Sequence, residues 1–109
     1  MALVTLEEAK NYLRVSTSDD DDLISSLILS AEALTKDVGR ISDEVWQALN
    51  TEPPDGEEDP DEIVQIRSVC KVSELYALAY LFEHREEADH HDLTITMRSL
   101  LFAVREGVV

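Results

Sequence analysis

The chain has 109 residues, 44% of them hydrophobic and 30% charged, which fits one domain with enough apolar side chains for a folded core. A net charge of −15 repels phosphate backbones and anionic membranes, so the basic footprint of an ordinary nucleic-acid binder is excluded. The lone cysteine, Cys70, rules out an internal disulfide. With no signal-peptide pattern and no apolar run of roughly 20 residues, the expected setting is a reducing cytoplasm away from the bilayer.

The first element opens at Thr5-Leu6-Glu7-Glu8, a capping box in which Thr5 caps the helix and Glu8 reaches back. Leu6, Ala9, Tyr12 and Leu13 keep helical spacing, and Arg14 closes the helix with a charge favourable to its dipole. After the polar Ser16-Thr17-Ser18, the acids at 19–22 belong at a helix N-terminus, where N–H groups and partial positive charge attract them. Leu23, Ile24, Leu27, Ile28, Ala31, Leu34 and Val38 then mark a wide apolar stripe, and Gly39 is the expected stop in positive φ.

Ser42 caps a short third helix with Val45, Trp46 and Leu49 on its apolar side. Trp46 reads either as a core residue or as an anchor in a subunit contact. Two prolines, a glycine and dense negative charge make residues 51–59 an acidic, mobile loop. Asp59-Pro60-Asp61-Glu62 restarts helix, with Asp59 at the cap, Pro60 at the first helical position and Glu62 closing a second capping box. The pattern continues to about Glu87, a central helix of about 40 Å at 1.5 Å per residue. One of its faces carries Ile63, Ile66, Val69, Cys70, Ala77 and Leu81, and the other Val72, Leu75, Tyr76, Ala79 and Phe82, which predicts enclosure on several sides.

A polar turn at 88–92 precedes a last helix from Thr94 or Thr96 to Arg105, with Gly107 at its end. No repeat and no strand alternation interrupts this series. The expectation is one all-α domain over residues 1–109, a small bundle of four to five helices around one long central helix.

Local signatures of catalysis are missing. Gly39, Gly56 and Gly107 are too scattered for a phosphate loop, and no zinc-helix or paired-cysteine spacing occurs. A calcium loop beginning at Asp21 would have Leu23 at its third position and Ser26 at its turn, so its ligand set fails. His84, His90 and His91 match no standard metal spacing, and Cys70 sits on an apolar stripe, as a core residue would. No catalytic, cofactor-binding or metal-ligating residue is expected.

The order of the elements resembles a known family. Residues Thr5-Leu6-Glu7-Glu8-Ala9-Lys10-Asn11-Tyr12-Leu13-Arg14-Val15, then Asp22-Leu23-Ile24-Ser25-Ser26-Leu27-Ile28 and Val38-Gly39-Arg40, are similar to the head–tail connector (DNA-packaging adaptor) family of tailed bacteriophages. Leu78-Ala79-Tyr80-Leu81-Phe82-Glu83-His84-Arg85-Glu86 looks like that family's central-helix ending, and Leu100-Leu101 followed by Arg105 like its terminal pattern. The chain departs from the family over residues 41–59, where Trp46 and the acidic loop lie.

The resemblance implies a structural virion protein at the head–tail junction, assembled in the bacterial host cytoplasm. It implies a twelve-fold ring of copies of the chain, beneath the portal protein, that extends the DNA channel and docks a head-completion (stopper) or tail protein. DNA would pass without specific binding, and no cofactor is implied. Candidate subunit or partner contacts are Trp46, Glu57, Glu58, Arg85, Arg105, Val108 and Val109, with the portal contact at residues 105–109 and axial contacts in the 52–59 loop. Two other readings stand beside it: an acidic DNA mimic that inhibits a basic enzyme, and a helical enzyme using His84 with Glu83 or Glu87.

Overall fold

The computed structural model describes residues 3–54, 56–84 and 90–105. It is all-helical there: α1 Leu6–Leu13, α2 Asp21–Val38, α3 Asp43–Leu49, α4 Asp61–Glu83 and α5 His91–Leu101, the last running into a 3₁₀ turn at Phe102–Val104. Helix α4 packs against each of the other four, and its broadest contact is with α2. It is therefore the centre of the bundle, as its apolar content predicts.

The expected capping box opens α1. Thr5 Oγ1 accepts the Glu8 N–H at 3.1 Å, and Glu8 Oε1 accepts the Thr5 N–H at 3.4 Å. Arg14 closes the helix through its backbone more than its charge. It takes φ 60°, and the Val15 N–H reaches the Lys10 carbonyl at 2.9 Å, satisfying an end carbonyl. Helix α2 has Asp21 and Asp22 in its first turn, but Asp20, at the cap, makes no side-chain hydrogen bond. The acids act there through charge: Lys10 Nζ lies 2.7 Å from Asp21 Oδ1 and ties α1 to α2.

Gly39 corrects an expectation. Its φ is −76°, and Arg40, at φ 50°, takes the left-handed conformation instead. Space is what Gly39 supplies, because an added Cβ would lie 2.9 Å from the Thr35 carbonyl oxygen and 3.2 Å from the Ile41 side chain. Ser42 caps α3 as expected, its Oγ accepting the Val45 N–H at 3.2 Å.

The entry to α4 differs from the predicted capping box. Pro60 occupies the cap position, no side chain caps the helix, and Asp59 faces Arg67 at 2.8 Å. The same guanidinium donates to the carbonyls of Leu49 (3.1 Å) and Ala48 (3.2 Å). Arg67 thus binds the end of α3 and the base of the acidic loop to α4, a stronger use of Asp59 than capping.

Helix α4 stops at Glu83, which makes it about 34 Å long rather than 40 Å. His84 closes it: its Nδ1 lies 2.9 Å from the Tyr80 carbonyl, and its ring stacks on Tyr80 at 4.2 Å. The predicted extension to Glu87 falls outside the described residues. Helix α5 begins at His91, earlier than Thr94, whose hydroxyl instead donates to the His90 carbonyl at 3.2 Å. His90 meets Tyr80 edge-on at 5.9 Å, so the aromatic contact fixes the entry to α5. After Leu101 the helix tightens to 3₁₀, where unbroken α-helix to Arg105 was expected.

Inside, the α2 stripe of Ile24, Ile28, Ala31 and Val38 joins Cys70, Ala77, Leu78 and Leu81 of α4 and Leu93, Met97 and Leu101 of α5 in one cluster. Leu3 and Val4 complete it, held by the Leu3 N–H donating to Asn50 Oδ1 at 3.0 Å. Gly39→Ala is expected to cost about 1–3 kcal/mol in urea denaturation, because the new methyl group meets backbone. Arg40→Gly should stay within about 1 kcal/mol of the parent, since relief of left-handed strain offsets glycine's larger unfolded-state entropy.

Candidate functional site

The second apolar face of α4 is not enclosed as its composition predicts. Val72 is 58% exposed, Val64 47% and Tyr76 38%, while Leu75, Ala79 and Phe82 are half-buried. Val64, Ser68, Val72 and Tyr76 recur every fourth residue, so they form one outward row on the helix. Across the α4–α5 seam, Leu100 joins Ser68, Val69 and Val72 in lining a groove of about 280 Å³.

Of two further grooves, the first shares Val69 with this one and the second shares Arg105 with the first. One of about 480 Å³ runs from Val45 through Ile66 and Val69 to Val104 and Arg105, and the next is lined by Arg98, Ser99, Phe102 and Arg105. Phe102 is 60% exposed there. A different flank, on α1 and α2, shows Tyr12 and Leu29, both at least half exposed. The chain therefore offers apolar surface on more than one set of helices.

Of the candidate contact residues predicted from sequence, four lie among the described residues. Trp46 is half-buried and packed against the core from α3, with its carbonyl accepting the Asn50 Nδ2–H at 2.9 Å. Glu57 and Glu58 are exposed in the acidic loop, just past Gly56 at φ 82°. Arg105 is half-buried at the far end of the seam. Arg85, Val108 and Val109 lie outside the described residues. Sequence reasoning missed Val72 and Leu100 as a shared surface, although the outward row of α4 was a usable signal.

It also missed Glu74. This carboxyl is fully buried on α4, and neither oxygen has a hydrogen-bond partner. Its spacing was informative, because it lies four residues after Cys70 and four before Leu78, on the buried stripe itself. Burial first, then the charges of Glu32 on α2 and Glu8 on α1, push it up to about 8 against the pull of Lys71. Glu32 is itself raised by burial, whereas Glu8 is lowered, first by its hydrogen bond with Lys71. Cys70, fully buried beside them, has its thiol pushed up to about 12 by burial and then by Glu74. That is the state of a core side chain.

Among the described residues no group of His, Cys, Asp or Glu is arranged to hold a metal ion, and no helix is long and apolar enough to cross a membrane. His84, the foothold of the enzyme reading, has one ring nitrogen on a backbone carbonyl and its face on Tyr80.

The described residues form an all-helical bundle around one central helix, with grooves exposed along it. The sequence matches the family of phage gp6-like head–tail connector proteins over residues 3–106, and the chain belongs to that family. It is thus a structural protein of the phage head–tail junction. No curated protein and no solved structure matches the chain.

The buried carboxyl makes stability depend on pH. A glutamate protonated in the fold to about pH 8 and ionised in the unfolded chain above about 4.5 holds the extra proton only when folded. Its stabilising contribution is complete below about pH 4.5, declines as pH rises and is gone above about 8, by at most about 1.4 kcal/mol per unit. Glu74→Gln should flatten this decline in urea titrations between pH 5 and 8.5. An equally steep slope in that variant would place the titrating group elsewhere.

Proposed function

We propose that the chain is one subunit of a ring joining the portal of the DNA-filled head to the tail. The ring, expected to be twelve-fold, continues the DNA channel and offers its far side to a head-completion (stopper) or tail protein. Family membership supplies the setting. The observation that carries the oligomer is the exposed row Val64, Val72 and Tyr76 beside Leu100, an apolar strip the chain leaves uncovered. A closed ring needs two different faces per subunit, because each copy meets its neighbours through unlike surfaces. Tyr12 and Leu29, on α1 and α2, supply apolar surface on a second set of helices.

The portal contact is assigned to the segment that begins at Arg105 and includes Val108 and Val109. The high negative charge fits a channel wall that DNA must pass without sticking. No observation favours the DNA-mimic reading, since Glu8, Asp21, Asp43 and Asp59 are engaged with Lys71, Lys10, Lys36 and Arg67.

Placing a charge in the strip tests this function. Val72→Asp and Leu100→Asp should each fold, because both positions face outward, yet weaken association by tenfold or more, on the order of 1.4 kcal/mol per contact. Native mass spectrometry with and without portal protein reads the ring directly. A wild-type chain that stays monomeric at all concentrations and ignores the portal would sink the proposal.

A further inference from the structure

The seam ends on positive charge, in a chain with only nine lysines and arginines. Lys10, Lys36, Arg67 and Lys71 each pair with an acid of the same chain. Arg40, Arg98 and Arg105 form no ion pair among the described residues. Loss of solvent, and then the charges of Arg40 and Arg98, hold Arg105 below the usual arginine range. The Arg105 Nε is shut away from water without a partner. Arg98 and Arg105 share a groove with Ser99 and the exposed ring of Phe102. Guanidinium groups beside an exposed aromatic ring are the side chains that dominate protein interfaces, and their mutual repulsion is relieved when carboxylates arrive.

We propose that this patch receives the acidic loop of a neighbouring copy, with Glu57 and Glu58 meeting Arg40, Arg98 and Arg105 around Phe102. Two chains of charge −15 repel at a distance, so a contact between them requires a place where opposite charges meet. The arginine cluster is such a place, and the matching acids are on the same sequence. Glu57 and Glu58 are exposed and unpaired, on a loop whose base is pinned by the Asp59–Arg67 pair. A donor segment and an acceptor patch at different points of one chain are what a head-to-tail contact requires. The inference rests on the ring reading above, gives the loop a lateral place instead of the axial one expected from sequence, and leaves the portal contact to the residues after Arg105.

Charge reversal and its rescue decide it. The variants are Arg40→Glu/Arg98→Glu and Glu57→Lys/Glu58→Lys, all at exposed positions, with circular dichroism to check folding. Sedimentation velocity over a concentration series, alone and with portal protein, reads the association. Each variant alone should associate about tenfold or more weakly than the parent, as for close interfacial charge pairs. An equal mixture of the two should recover, because each reversed loop then meets a reversed patch. If the parent forms rings while both variants match it, or the mixture stays weak, the pairing is wrong and the ring reading survives. A parent that never associates overturns both. Binding of a short DNA duplex that is lost in Arg40→Glu/Arg98→Glu, with association unchanged, would assign the patch to phosphate and overturn the loop.

Discussion

The packing of α4 on α2 sets the position of everything else in the molecule. The buried stripe of α4 is built from small side chains, Cys70, Ser73 and Ala77, before it widens to Leu78 and Leu81. Opposite it, α2 presents Ala31 and Thr35 between its isoleucines and Val38. Small residues on both helices let the backbones approach closely, and the other helices close around that pair. Glu74 lies in the same stripe, so the tightest part of the bundle also holds a carboxyl that tolerates burial by keeping its proton.

The charge of the chain divides along these lines. Pairs such as Lys10 with Asp21 and Arg67 with Asp59 join one element to the next. Each is partly exposed and contributes modestly to stability, yet together they engage Lys10, Lys36, Arg67 and Lys71. The result is an outer surface dominated by acid, interrupted where Arg98 and Arg105 share a groove. In a member of the head–tail connector family, that interruption is the part of the surface the proposed contact between copies would use.

How much of this was legible in the sequence follows from how local each cause is. The capping box at Thr5 and the cap at Ser42 act within three residues, and both appear as read. The all-helical class and the central place of α4 also follow, since they depend on periodicity over many residues. The boundaries that moved were set by partners far away in sequence or by rings in space. Asp59 left its cap for Arg67, and the Tyr80, His84 and His90 rings fixed the end of α4 and the beginning of α5. Gly39 was read as a conformational need when the need is room for a carbonyl and Ile41. The exposed seam was half visible: the second face of α4 could be counted, but its exposure depended on where α5 would lie. The arginine cluster draws on residues 40, 98 and 105, and no spacing rule connects them.

The burial of Cys70 has a practical side. At pH 8 a thiol held at about 12 is ionised in roughly one molecule in ten thousand, and its sulfur is also closed off from solvent. Maleimides, air oxidation and mixed-disulfide exchange all act through an accessible thiolate, so the native chain is chemically silent toward them. A cysteine introduced anywhere on the surface would then be the single reactive thiol of the folded protein. Reaction at Cys70 itself would report only those moments when α4 separates from α2, a built-in clock for the opening of the bundle.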